Sequence, residues 1–285
     1  MSYDRITVTP VSGALGAEIS GADLARLDDA TFAEIRQAFL DHQVIFFRDQ
    51  DITPEQQIAF ARRFGEIHHH PYMRGMDDYP DILEIIKEPG DSYTFGAAWH
   101  TDQMFNPKPA MATMLYAKET PSVGGDTMFS SMYKAYDGLS EAMRAMLKTV
   151  KTFNVGDRFK QSGGSARADR YAGNAQMAAK VRDPGNLVTE SHHPLFRTHP
   201  DTGRKALYIG SHTQGLEGMR AEEAEPIIDY LRRHSIRPEY LCRWRWKPGS
   251  LALWDNRCAL HNPINDYDGY KRVLHRVTFA GQETA

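Results

Sequence analysis

The chain has 285 residues, 41% hydrophobic and 25% charged, with a formal net charge of −3 when the histidines are neutral. That length allows a sizeable core in one domain with long insertions, and the near-neutral balance excludes the electrostatic footprint of a nucleic-acid or anionic-membrane binder. No run approaches the roughly 20 apolar residues that cross a bilayer. The start Met1-Ser2-Tyr3-Asp4-Arg5 lacks a signal-peptide layout, and Cys242 and Cys258 are too few for a disulfide framework, so a reducing cytoplasm is the expected compartment.

In chain order, Ile6-Thr7-Val8-Thr9 alternates as a short strand does, and Gly13, Gly16 and Gly21 punctuate the stretch after it. Phe32, Ile35 and Phe39 recur at helical spacing after Asp28-Asp29 and predict an amphipathic helix from about Thr31 to His42. Val44-Ile45-Phe46-Phe47 reads as a buried strand. Thr53-Pro54-Glu55-Gln56 has the layout of a capping box with proline at the first helical position, which predicts a second helix over Pro54 to Phe64, stopped at Gly65. Short apolar and β-branched runs then recur: Ile82–Ile86, Met111–Tyr116, Thr127–Phe129, Ala206–Ile209, Leu251–Trp254 and Val273–Phe279. Helical patterns interrupt them near Glu141–Lys148 and Glu222–His234. Many short strands with few helices between them predict a mainly β fold with flanking helices, an antiparallel sandwich or barrel. Residues 156–189 carry no clean period and are expected to form a long lid-like insertion.

Trp99-His100-Thr101-Asp102 places an imidazole and a carboxylate two residues apart, on one face if the segment is a strand. With 12 histidines in the chain, chance alone supplies roughly one such triplet, so its meaning depends on its company. His261 is the best third ligand, because it follows strand-like Leu251–Trp254 and turn-prone Asp255-Asn256. Two histidines and one carboxylate on one face of a metal leave three positions open, the arrangement with which non-haem Fe(II) oxygenases hold a bidentate cosubstrate and O₂. In Lys271–Arg276 the alternation predicts a strand with Arg272, Leu274 and Arg276 on one face. A guanidinium is the natural bidentate partner of a carboxylate, and 2-oxoglutarate presents a distal one; the competing reading pairs these arginines with acidic neighbours at a strand end. Phe95, Phe105 and Phe159 are candidates to wall a pocket, Phe159 from within the insertion.

Two other functions compete. A metal-dependent hydrolase would use the same ligands around zinc but gives Arg272 no task. A non-catalytic binding module rests on Arg243-Trp244-Arg245-Trp246-Lys247, which interleaves basic and aromatic residues as single-strand binders do. The net charge favours a strand with its tryptophans inward, so no nucleic-acid partner is expected.

Taken in order, five motifs resemble the taurine dioxygenase and 2,4-dichlorophenoxyacetate dioxygenase family of Fe(II)/2-oxoglutarate-dependent oxygenases, from roughly Val8 to Gly281. They are Trp99-His100-Thr101-Asp102, Gly124-Gly125-Asp126-Thr127, His193-Pro194 with Arg197-Thr198-His199-Pro200, Trp254-Asp255-Asn256-Arg257, and His261 followed by Arg272 and Arg276. The resemblance implies a double-stranded β-helix (jelly-roll) core in a single domain over residues 1–285, with the iron at one end between two sheets. It implies that His100, Asp102 and His261 bind Fe(II), that Thr127 and Arg272 hold the 2-oxoglutarate carboxylates, and that Arg276 and His70 meet an anionic substrate. Where the taurine enzyme has a substrate-contacting asparagine, this chain has Gly96; losing the amide makes room and makes taurine itself a poor match. The implied reaction consumes O₂ and 2-oxoglutarate, yields succinate and CO₂, and hydroxylates a small sulfonate, sulfate ester or aryloxyalkanoate. A homo-oligomer, dimer or tetramer, is expected.

Overall fold

The second early helix starts at the residue the sequence predicts, and the first starts two residues before the expected Thr31. In the computed structural model, which describes residues 3–156, 171, 173–182 and 188–284, the Asp28 side chain accepts from Thr31 N to open α1 (Asp29–His42). Thr53 and Gln56 close both bonds of the capping box that opens α2 (Pro54–Arg62). Such caps satisfy amide groups that a helix start leaves orphaned, at about 1 kcal/mol each. Phe159 and much of the predicted 156–189 insertion lie outside the described residues.

Seven strands form the main sheet: β1 (Thr7–Pro10), β2 (Ala17–Ser20), β3 (Val44–Phe47), β4 (Leu83–Lys87), β5 (Ala112–Glu119), β13 (Leu251–Asp255) and β15 (Arg272–Thr278). Their order is β1-β2-β3-β13-β5-β15-β4, antiparallel except for the β2/β3 pair. A three-stranded sheet carries β6 (Thr127–Ser131) between β12 (Leu241–Trp244) and β14 (Ala259–Pro263). Smaller sheets join β7 (Lys151–Val155) to β8 (Glu190–Pro194) and β11 (Thr213–Leu216), and β9 (Phe196–Thr198) to β10 (Lys205–Leu207). The remaining α-helices are α3 (Met132–Asp137), α4 (Glu141–Leu147), α5 (Ala175–Ala179) and α6 (Ala221–Ser235). The expected mainly β chain with flanking helices is what the structure contains. The predicted insertion includes α5, a helix too short to show a period, capped by Asn174 and tied to β4 by a bond from Asn174 Nδ2 to Ile86 O.

Side-chain parity explains how the layers pack and why the site lies between them. Ile45, Phe47, Met114, Tyr116, Leu251 and Leu253 face α1 and α2, where Ile35, Phe39 and Phe60 meet them. Their alternates Val44, Phe46, Leu115, Ala252 and Trp254 face the opposite way, onto Phe129, Cys242, Trp244 and Ala259 of the three-stranded sheet. At this second interface Phe46 stacks on Trp244 with centroids 4.1 Å apart, a contact worth about 0.5–1.5 kcal/mol beyond area burial. Trp244 and Trp246 are buried while Arg243, Arg245 and Lys247 are exposed, the inward-tryptophan arrangement expected for that segment. Because Leu274 joins the interior between the sheets, Arg272 and Arg276 two residues either side share its face; Thr127 shares that of Phe129, and His261 that of Ala259.

Candidate metal centre and cosubstrate cleft

His100 and His261 are joined by a lone antiparallel bridge, His100 N to His261 O at 3.0 Å and His261 N to His100 O at 2.8 Å. The bridge sets the two imidazoles side by side with centroids 4.1 Å apart. His100-Thr101-Asp102 therefore does not lie in a strand ladder, as strand geometry for the triplet required. The two side chains still converge, because the bridge fixes His100 and a loop turns Asp102 back toward it. Asp102 Oδ1 lies 3.6 Å from His100 Nε2 and 4.0 Å from His261 Nε2. Atoms bound about 2.1 Å from one ion can be at most about 4.2 Å apart, so the spacing fits a single small cation.

The surroundings fix which atoms face that point. His100 Nδ1 lies 2.7 Å from Ala98 O, so it carries the proton and leaves the Nε2 lone pair free. Asp102 Oδ2 accepts from Thr113 Oγ1 at 2.6 Å; Thr113 Oγ1 accepts from Asn256 Nδ2, and Asn256 Oδ1 accepts from Trp254 Nε1, both at 3.0 Å. The chain from Trp254 to Asp102 holds one carboxylate oxygen and leaves Oδ1 facing the two imidazoles and Arg276 Nη2. Burial opposes ionisation of Asp102, yet Arg276, His261 and His100 together outweigh it and hold the carboxyl well below the usual carboxylate range. Burial, and then His100 beside it, push the His261 imidazole well below its ordinary value, so it stays neutral and able to donate a lone pair.

Behind the three donors runs a narrow recess lined by Thr127, Arg272, Trp254, Leu274 and His261. Arg272 is 4% exposed, and its Nε and Nη2 have no hydrogen-bond partner. Its guanidinium carbon lies 5.6 Å from the Tyr267 ring and 5.9 Å from that of Trp246. A charged group buried this deeply without an anion is costly; a ligand carboxylate would supply the missing acceptors. Thr127 Oγ1 accepts from Trp246 Nε1 at 3.0 Å, which turns the hydroxyl proton away and leaves it free to donate. Arg276 does form an ion pair, its Nη2 2.8 Å from Asp102 Oδ1, but from within β15 and to a carboxylate of the donor cluster rather than to an acidic neighbour at a strand end.

On the other side of the donors opens a cavity of about 440 Å³. His70, Gly96, Phe105, Asp102 and Arg276 line it, and Gly96, His100 and Arg276 line the recess as well, so the two spaces meet at the donors. Gly96 has φ +80°, and a Cβ there would sit 3.3 Å from His100 Cε1: only glycine keeps both the turn and the clearance over the ligand ring. His70 Nδ1 accepts from Tyr72 N at 3.1 Å, holding the ring. Thr113, Trp246 and the amide of Asn256 escaped sequence reasoning; their types occur throughout the chain, and only the pairing of distant strands gives them a role.

A second cluster of donors, His199, Asp255 and Cys258, is buried at all three residues, whereas His100 of the first is only partly so. Asp255 Oδ1 accepts from Arg257 N and Nε, while Oδ2 accepts from Arg257 Nη2 and lies 2.9 Å from His199 Nε2. With both oxygens engaged and its charge matched by Arg257, this group anchors the turn that carries Asn256 and leaves no lone pair for an ion.

Residues 7–278 match the family described as "Taurine catabolism dioxygenase TauD, TfdA family". The (S)-phenoxypropionate/alpha-ketoglutarate-dioxygenase of Sphingobium herbicidovorans is 31% identical over 284 residues, covering 96% of this chain and 94% of that protein. The alpha-ketoglutarate-dependent sulfate ester dioxygenase of Pseudomonas putida is 32% identical over 280 residues, covering 98% and 90%. The crystal structure of AAD-2 in complex with Mn(II) and N-oxalylglycine superposes with a TM-score of 0.77 at 28% identity, covering 98% of both chains.

Proposed function

Because the chain belongs to the TauD/TfdA family and is an alpha-ketoglutarate-dependent dioxygenase, we propose that it hydroxylates a small organic anion of the sulfonate, sulfate ester or aryloxyalkanoate class. In this reading His100 Nε2, Asp102 Oδ1 and His261 Nε2 hold Fe(II), with Arg272 and Thr127 on the 2-oxoglutarate (alpha-ketoglutarate) carboxylates. Arg276 and His70 meet the substrate, over the clearance left by Gly96. The observation that carries it is the convergence of three donor atoms beside a buried guanidinium that lacks an anion. The facing seven- and three-stranded sheets support a double-stranded β-helix core, and the span of the family match, residues 7–278, supports a single dioxygenase domain.

Fe(II), when bound, supplies the activation of O₂ that couples conversion of 2-oxoglutarate to succinate and CO₂ with hydroxylation of the substrate. The protein supplies position and charge. Arg272 would hold a cosubstrate carboxylate by charge-assisted bonds and Thr127 would donate a neutral one, positioning the cosubstrate beside the donors. Arg276 is poised between Asp102 and the cavity, where an anionic head group would compete for its charge. A hydroxyl placed on a carbon bearing a sulfonate, sulfate ester or aryl ether oxygen would collapse to a carbonyl with loss of sulfite, sulfate or a phenol. The reading is tested by measuring succinate from purified protein with Fe(II), ascorbate and 2-oxoglutarate over a panel of these anions. Faster succinate formation with at least one member is expected, and none across the panel would reject the substrate class. Zinc-dependent hydrolysis without succinate would favour the hydrolase.

A further inference from the structure

The larger cavity is walled by rings. Tyr171 stacks on Phe95 (5.7 Å, 19° between planes), Phe95 meets His70 at 6.2 Å, His70 meets Tyr72 at 6.0 Å, and Tyr72 meets Phe105 at 5.5 Å. Phe105 meets His212 at 5.1 Å, and His212 lies 6.5 Å from the His100 ring. All seven rings line the cavity, so an aromatic belt runs along its wall and ends on a candidate metal ligand.

Among the described lining residues Arg276 is the only arginine or lysine and Asp102 the only carboxylate, and Asp102 is already engaged by Arg276 and the imidazoles. Arg276 is thus the described group of permanent positive charge on this wall that an anionic head group can meet. A flat apolar body gains edge and face contacts from the belt, each worth about two- to tenfold in affinity beyond simple burial.

One residue sets the belt's shape. A Cβ on Gly156 would fall 2.5 Å from Phe105 Cγ and within 2.8 Å of both Cδ atoms, so the bare backbone is what lets the ring seat where it does. We propose that the cavity selects an anion with an aryl body, and that Phe105, seated on Gly156, sets this preference. The inference rests on the dioxygenase reading and narrows its substrate class.

The test compares kcat/KM for succinate formation with phenoxyacetate, hexyl sulfate and taurine, in the wild type, Phe105→Leu and Gly156→Ala. Phenoxyacetate is expected to exceed hexyl sulfate by about tenfold or more, given several ring contacts, with taurine lowest. Phe105→Leu should lower the aryl-to-alkyl ratio by about two- to tenfold, mainly through KM, and Gly156→Ala should lower it by displacing the ring. Should the alanine variant fail to fold, Phe105→Leu decides. A preference for hexyl sulfate or taurine, or an unchanged ratio in Phe105→Leu, overturns the inference while leaving the dioxygenase reading intact. No 2-oxoglutarate-dependent succinate with any of the three would overturn the inference and count against the proposed substrate class as well.

Discussion

Asp102→Ala is expected to remove 2-oxoglutarate-dependent succinate formation, by more than the roughly 10–100-fold that loss of an outer partner to a metal ligand costs. The carboxylate has two tasks in the structure. Oδ1 faces the two imidazoles, and the same atom is 2.8 Å from the buried Arg276 guanidinium. Removing it takes away the only negative donor of the three and leaves Arg276 without its carboxylate. Breaking a buried ion pair on one side costs about 3–5 kcal/mol, so the variant should also unfold at lower denaturant concentration. Asp102→Asn separates the two effects: it keeps the shape and an acceptor for Thr113 but not the charge. Both variants should lose activity and bound metal, and a variant that keeps its metal and its rate would remove Asp102 from the site.

Arg272→Ala is the second large effect, and its sign differs between stability and binding. Without a ligand, Arg272 is a charge that is 4% exposed, with two nitrogens unpartnered. Truncating it should leave the ligand-free protein as stable as before or more so, since replacing a poorly compensated buried charge is often neutral or favourable. With 2-oxoglutarate the order reverses. A hydrogen bond to a charged group contributes about 1.5–3 kcal/mol, so the KM for 2-oxoglutarate should rise by about 10- to 150-fold. The thermal shift that 2-oxoglutarate gives the wild type should vanish. Arg276→Ala is expected to weaken the primary substrate more than the cosubstrate, and the opposite division of effects would exchange the two assignments.

What could be read from the sequence was whatever a local period or spacing encodes. The capping box at Thr53 and Gln56 specified α2, and alternation around Leu274 placed Arg272 and Arg276 on one inward face before any contact was known. The triplet His100-Thr101-Asp102 pointed to side chains that do converge, but on a mistaken premise, since a single bridge to His261 does the work assigned to a strand. What escaped depends on distant pairing. Thr113 and Asn256, 143 positions apart, meet only because β5 lies beside β13. Trp246 reads as a core tryptophan, and its ring nitrogen acquires a use only when β12 pairs with β6 and brings Thr127 within reach. Gly156 carries no motif, and its role exists only because Phe105 folds back on it. Helix α5 escaped because five residues show no period, and its order comes from Asn174.

The most direct test is a crystal structure of the protein with Mn(II) and N-oxalylglycine. The proposal requires one ion bound by His100 Nε2, Asp102 Oδ1 and His261 Nε2, with a carboxylate of N-oxalylglycine on the Arg272 guanidinium and the Thr127 hydroxyl. An ion held elsewhere, for instance by His199, Asp255 and Cys258, or an inhibitor carboxylate that leaves Arg272 unpaired, would contradict it.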